Sequence, residues 1–89
     1  MKTIVIDGRY CKTKEQTHEY LARKPIFPAY YGKNLDALYD VLTSCGERLH
    51  IRILYSASLE ANLGNYGKKL LRVFEEAAGA NKNITVEIK

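Results

Sequence analysis

Three short strand-like runs are separated along this chain by stretches of helical periodicity, and that alternation constrains the fold more than anything else in the sequence. Residues 2 to 6 hold three consecutive β-branched aliphatics, Ile4-Val5-Ile6, and stop at Asp7-Gly8, a pair that favours a turn. Leu49 to Tyr55 alternates in part, with Ile51 and Ile53 on one side and Arg52 on the other, which predicts a second strand less deeply buried than the first. Ile84, Val86 and Ile88 alternate with Thr85 and Glu87, the pattern of a last strand with one face on a core. Helical crossovers return a chain to the same end of a sheet, so the pattern predicts an α/β domain with a three-stranded parallel sheet and four helices. With 89 residues there is material for one core, and residues 1–89 are read as a single domain.

The helices have recognisable ends. Thr13 and Gln16 have the spacing of a capping box, and Thr17, Tyr20 and Leu21 recur at helical spacing until Lys24-Pro25 ends the run. Pro25 to Gly32 is a loop, aromatic enough for half of it to be buried. Asn34 is a good N-cap for a second helix, whose Leu35, Leu38, Tyr39 and Leu42 line one apolar face before Ser44-Cys45-Gly46 stops it. Ser56 is placed to cap a short third helix with Leu59 and Leu63, ending at Gly64. A fourth is predicted from about Gly67 to Ala78, with Leu70, Leu71, Phe74, Ala77 and Ala78 inward and Gly79 to Asn83 as its exit turn.

Hydrophobic residues at 46% and charged residues at 27% are ordinary for a soluble globular chain and exclude a disordered tail. Ile4-Val5-Ile6 is too short for the apolar core of a signal peptide, and no run nears the roughly 20 apolar residues that span a bilayer. The expectation is a cytoplasmic protein with no membrane partner, whose Cys11 and Cys45, lacking C-x-x-C spacing, are free thiols. His18, beside Glu15 and Glu19, reads as a solvated surface histidine, and His50 lies at a strand start. Gly64-Asn65-Tyr66-Gly67-Lys68-Lys69 reads as a turn between helices rather than a phosphate loop. With no Ser/His/Asp order and no HExxH, no catalytic group, metal or cofactor is expected and the chain is not read as an enzyme.

The net charge of +4 makes nucleic acid or an acidic partner the first class to weigh. The most informative segment, Tyr30-Tyr31-Gly32-Lys33-Asn34-Leu35-Asp36-Ala37-Leu38-Tyr39-Asp40, points the other way. Asp36 and Asp40 are the only charges between Lys33 and Glu47. Four residues apart, they share a helix face, where like charges cost a few tenths of a kcal/mol. Asp36 is repaid by the helix dipole in the first turn; Asp40 stands a turn further in, with no basic residue four positions away. Carboxylates among tyrosines are the opposite of a nucleic-acid site, which interleaves Lys and Arg with its aromatics. They suit a basic target. An arginine-lined phosphate pocket is one, because a guanidinium fork accepts a carboxylate in the geometry it offers to phosphate.

The run Tyr30-Tyr31-Gly32, then Asn34-Leu35-Asp36-Ala37-Leu38, then an aromatic and Asp40, resembles the signature of the barstar family, intracellular inhibitors of the ribonuclease barnase. The likeness extends over nearly the whole chain, through the opening strand, Phe74 with Glu76-Ala77, and the closing Ile84-Thr85. It implies a three-stranded parallel sheet with four helices, and a second helix that, with the loop before it, plugs the active site of an extracellular-type ribonuclease or related nuclease toxin. Asp40 matches the aspartate that enters the phosphate pocket. Tyr30, Tyr31, Gly32, Asn34, Leu35, Asp36, Tyr39, Thr43 and Glu76 complete the implied partner-binding set, in a protein expected to be a monomer. Lys33 stands where the family usually has an acidic residue, Ala80 replaces a second glutamate, Tyr39 a tryptophan, and Cys45 falls where a contact tryptophan could lie. Arg72 is spaced to pair with Glu76, which would make that glutamate a surface ion pair. The alternative reading is a small nucleic-acid-binding module using Lys68, Lys69 and Arg72 on the last helix.

Overall fold

In the computed structural model, which describes residues 1–89, the three strand-like runs form one parallel sheet in the order β1-β2-β3: β1 (Lys2–Asp7), β2 (Leu49–Leu54) and β3 (Ile84–Ile88). Ile4 pairs with Ile51 and Ile51 with Val86, while Ile6, Ile53 and Ile88 form the next row. Four helices connect them: α1 (Lys14–Ala22), α2 (Leu35–Thr43), α3 (Ser56–Leu63) and α4 (Asn65–Ala80). A 3₁₀ turn, Gly8–Tyr10, follows β1, its entry held by the Asp7 carboxylate, which accepts from the Arg9 backbone N–H at 2.9 Å. No helix is long and apolar enough to cross a membrane.

The helices pack their apolar sides on one face of the sheet. Leu21 of α1, Leu38 and Leu42 of α2, Leu59 of α3, and Leu70, Phe74 and Ala77 of α4 are buried with Ile4, Ile6, Leu49, Ile51, Ile53 and Ile84 in one cluster. Burying a side chain such as Phe74 favours the fold by about 1.5–3 kcal/mol. The second strand is the more deeply buried one, contrary to the sequence expectation: it is central, with Leu49, Ile51 and Ile53 inaccessible, whereas β1 lies at an edge. Arg52 had made β2 look exposed. Alternation puts it on the opposite face of the sheet, where its Nε donates to Glu87 at 3.0 Å while His50 meets Thr85 at 2.7 Å. Lys89 reaches the same glutamate at 3.2 Å, so a polar lattice covers the face that parallel sheets ordinarily hide under helices.

Two joints differ from the sequence expectation. Ser56 does not cap α3; the capping position is Tyr55, at a left-handed φ of 56°, because the chain must swing from β2 into a helix within one residue. The Ser56 N–H instead donates to the Lys89 carbonyl at 2.9 Å. Gly64, at φ 61°, is the whole connection between α3 and α4, a conformation that glycine adopts without penalty. The last helix therefore begins at Asn65, and Gly67-Lys68-Lys69 lie in its first turns instead of in a linking loop.

Candidate functional site

The segment between α1 and α2 folds by anchoring some residues and projecting others. Its two turns are closed by the Phe27 N–H donating to the Lys24 carbonyl and the Tyr31 N–H to the Pro28 carbonyl, both at 3.1 Å. Tyr31 turns into the core, 6% exposed, its ring set edge-on to Phe27 with centroids 4.9 Å apart. Its neighbour Tyr30 is 88% exposed. Gly32 and Lys33, the latter at φ 56°, then turn the chain into α2. Asn34 caps that helix as the sequence predicts: its Oδ1 accepts from the Ala37 N–H at 2.7 Å, and its Nδ2 donates to the Gly32 carbonyl at 3.2 Å.

Along α2 the faces separate with the 3.6-residue period, except that Tyr39, expected on the apolar face, lies at its edge and is exposed. Leu38 and Leu42 are buried, Leu35 is half-buried against the core, and Asp36, Tyr39 and Asp40 face outward, Tyr39 at 37% exposure. Thr43 sits in the last turn with its hydroxyl donating back to the Tyr39 carbonyl at 2.7 Å. The end of this helix is held by Asn81, just past α4, whose Nδ2 donates to the Leu42 and Cys45 carbonyls, both at 2.9 Å.

Because α4 packs beside α2, Val73 and Glu76 join Leu35, Asp36, Tyr39 and Asp40 around a groove of about 370 Å³. On the other side of Asp40 a hollow of about 450 Å³ lies between Tyr30, Ile26 and Pro28 of the loop and Val41, Cys45 and Glu47. Asp40 is the one acid that borders both. The predicted Arg72–Glu76 ion pair is not formed: ion pairs join Lys2 to Glu47, Arg9 to Asp7, and Glu87 to Arg52 and Lys89, and His50 Nε2 lies within hydrogen-bond distance of Glu87 at 3.3 Å. Asp36, Asp40 and Glu76 are thus three exposed carboxylates without a cationic partner, on two adjacent helices. Such a group makes a local negative field on a protein whose net charge is +4. Lys68, Lys69 and Arg72 are exposed further towards the start of α4.

Of the residues predicted to meet a partner, Tyr30, Gly32, Asn34, Asp36, Tyr39, Asp40 and Glu76 are exposed, and Leu35 and Thr43 half-exposed. Tyr31 is the exception, being buried against Phe27 with its hydroxyl at His18. His18 reverses its expectation outright, being 1% exposed, and its two ring nitrogens are each 2.6 Å from a tyrosine hydroxyl, that of Tyr31 and that of Tyr66. Flanking Glu15 and Glu19 disguised it, although Thr17 and Leu21 mark the inward face on which it lies. Burial, with Lys14 nearby, pushes the imidazole pKa down, and burial pushes the Tyr31 and Tyr66 hydroxyls up. Cys11 is a buried thiol, its pKa raised by burial, and Cys45 a half-exposed one; they are not bonded to each other. No three His, Cys, Asp or Glu side chains gather closely enough to hold a metal ion.

A family model described as Barstar (barnase inhibitor) matches residues 1–89. A protein of Bacillus subtilis (strain 168) bearing the name "Putative ribonuclease inhibitor YrdF" is 40% identical over 78 residues, covering 86% of this chain and 86% of that relative.

Proposed function

The chain belongs to the barstar family, and on that premise we propose that it is a ribonuclease inhibitor that closes the active site of a barnase-type enzyme with α2 and the aromatic loop before it. It acts by occupancy, without catalysis. Asp40 enters the pocket that binds a substrate phosphate and meets the cationic side chains there, its carboxylate taking the place of phosphate oxygens. Asp36 and Glu76 widen the acidic patch, and Tyr30 and Tyr39 supply flat apolar contact around it, as aromatics do at the centres of protein interfaces. In the cell the role is that of an immunity protein or antitoxin, guarding cytoplasmic RNA against an extracellular-type ribonuclease.

The observation that carries this reading is the convergence of Asp36, Asp40 and Glu76, unpaired, on one groove with the exposed Tyr39, and the exposed Tyr30 in the hollow on the other side of Asp40. A standard interface takes about 800 Å² from each partner, roughly a seventh of this chain's 5292 Å², which the loop, α2 and the adjoining side of α4 can supply. The positive net charge lowers long-range attraction to a basic nuclease, so affinity rests on desolvated pairs at the centre more than on fast encounter.

The test is inhibition of a purified barnase-type ribonuclease by the wild type, by Asp40→Ala and by Glu60→Ala on the remote helix α3. Truncating one partner of a buried charge pair costs about 2–5 kcal/mol, a general range to which barnase–barstar pairs themselves contribute. Asp40→Ala is therefore expected to raise the inhibition constant at least about 30-fold, and Glu60→Ala to change it little. Equal effects would remove Asp40 from the site.

A further inference from the structure

The loop that carries Tyr30 packs Ile26, Phe27 and Tyr31 on the core, and it makes one side-chain hydrogen bond to a distant element. Within residues 25 to 33, Phe27 and Tyr31 use their backbone N–H groups on local turns, and Gly32 accepts from the neighbouring Asn34. Only the Tyr31 hydroxyl reaches a distant element, and it reaches His18 of α1 at 2.6 Å. The other imidazole nitrogen is 2.6 Å from the hydroxyl of Tyr66, in the first turn of α4. One buried ring thus joins the loop to the start of the helix that bears Glu76.

The chemistry of imidazole makes this link directional. A neutral ring has one N–H donor and one acceptor, so one tyrosine donates to it and the other accepts from it. No buried side-chain nitrogen or oxygen in the protein lacks a partner, and the chain Tyr31–His18–Tyr66 is how these three are satisfied. Around it stand Lys14, Glu15 and Glu19 of α1 and Lys33 of the loop, which line a small hollow of about 160 Å³ with His18. Lys14 also lies over the Tyr66 ring at 5.2 Å, and Phe27 packs on Tyr31. A protonated ring would donate at both nitrogens and add a third cation next to Lys14 and Lys33.

We propose that His18 is a positioning residue for the partner-binding surface: by holding Tyr31 it fixes the loop that presents Tyr30 and delivers Asn34 to the start of α2. The proposal rests on the reading of that surface as the inhibitory site. A loop already ordered spares the complex the entropy of ordering it on contact, so the tether acts on how often an encounter succeeds.

The experiment uses the full chain and four variants: His18→Leu, which removes the link; His18→Gln, whose amide can both donate and accept; Tyr31→Phe, which removes a single hydroxyl; and the double variant His18→Leu/Tyr31→Phe. Amide hydrogen exchange is followed by NMR, and association with a barnase-type ribonuclease by stopped-flow. His18→Leu and Tyr31→Phe are each expected to speed exchange at Phe27 and Tyr31 roughly tenfold while Leu70 and Phe74 in α4 stay protected. Each is also expected to slow association about fivefold, the worth of one neutral hydrogen bond, with the double variant no worse than the singles and His18→Gln retaining most of the wild-type behaviour. Unchanged loop exchange in the folded variants, or losses that add in full in the double variant, would overturn the proposal. If His18→Leu fails to fold, Tyr31→Phe decides by the same two readings. The exchange measurement needs no nuclease: a wild type that inhibits but whose loop ignores both substitutions defeats the tether alone, and a wild type that binds no ribonuclease defeats the inhibitor reading while exchange still judges the tether.

Discussion

Replacing Asn81 by alanine should loosen the C-terminal end of α2 more than any exposed substitution on that helix. Its side chain closes three well-formed hydrogen bonds: to the Leu42 carbonyl at 2.9 Å, to the Cys45 carbonyl at 2.9 Å, and from the Asn83 N–H at 3.0 Å. A longer contact, 3.4 Å, reaches the Thr43 carbonyl. The carbonyls belong to the last turn of α2 and the chain just beyond it, where a helix has no partners of its own to offer. At about 1 kcal/mol net per bond the three are worth about 3 kcal/mol, and because the site is only half-buried, water regains some of the exposed groups and leaves a loss of about 2 kcal/mol. With a urea slope of about 1–3 kcal/mol per molar, the unfolding midpoint followed by circular dichroism falls by roughly 1 M. Asn81→Asp is the sharper probe. It keeps the acceptor for Asn83 but aims carboxylate oxygens at the Leu42 and Cys45 carbonyls, so at pH 7 it should cost more than alanine and recover below about pH 4 as the carboxyl protonates. An aspartate variant as stable as the alanine one at pH 7, or an alanine variant with an unmoved midpoint, would refute the latch.

The remaining predictions concern stability. Gly8→Ala should lower it by more than about 2 kcal/mol and the melting temperature by roughly 10 °C, because a Cβ there would collide with the Tyr55 carbonyl oxygen and lie 2.9 Å from that of Leu54, backbone that cannot step aside; a melting temperature equal to wild type contradicts the close approach. Acid should act in two stages. The His18 pKa is depressed in the folded protein by burial and Lys14, so the unfolded chain takes its proton first and stability declines as pH falls below about 6.5 until the folded ring is also charged. Asp7, lowered by its hydrogen bond to Arg9, and Glu87, lowered by Lys89, His50 and Arg52, keep their stabilising effect down to about pH 4.5 and lose it below. Urea midpoints at pH 7.5 and 5.0 should therefore draw together in His18→Gln relative to wild type, and an equal drop in both proteins would show that His18 does not set the first stage.

The elements that repeat with a period were legible in the sequence. The strands of Ile4-Val5-Ile6 and Ile84 to Ile88 and the buried stripe of Leu38 and Leu42 follow from side chains that alternate every 2 or 3.6 residues, and Asn34 and Gly64 marked helix ends because capping chemistry is local. Asp36 and Asp40 stood out for a related reason, being the only charges in their stretch and one helical turn apart. What depends on distance along the chain was not legible. Strand order put β2 in the centre and reversed its expected burial. Tyr31 lies 13 residues from His18 and Tyr66 lies 48 from it, and Asn81 meets the Leu42 carbonyl across 39. A period records which way a side chain points from its own element, but the partner it finds there is chosen only when helices and strands close on one core. So the sequence by itself determined the elements, their inward faces and the acidic character of α2. The tertiary structure decided that Glu76 joins that acid patch, that its expected partner Arg72 leaves it free, and that a histidine flanked by two glutamates is buried between tyrosines.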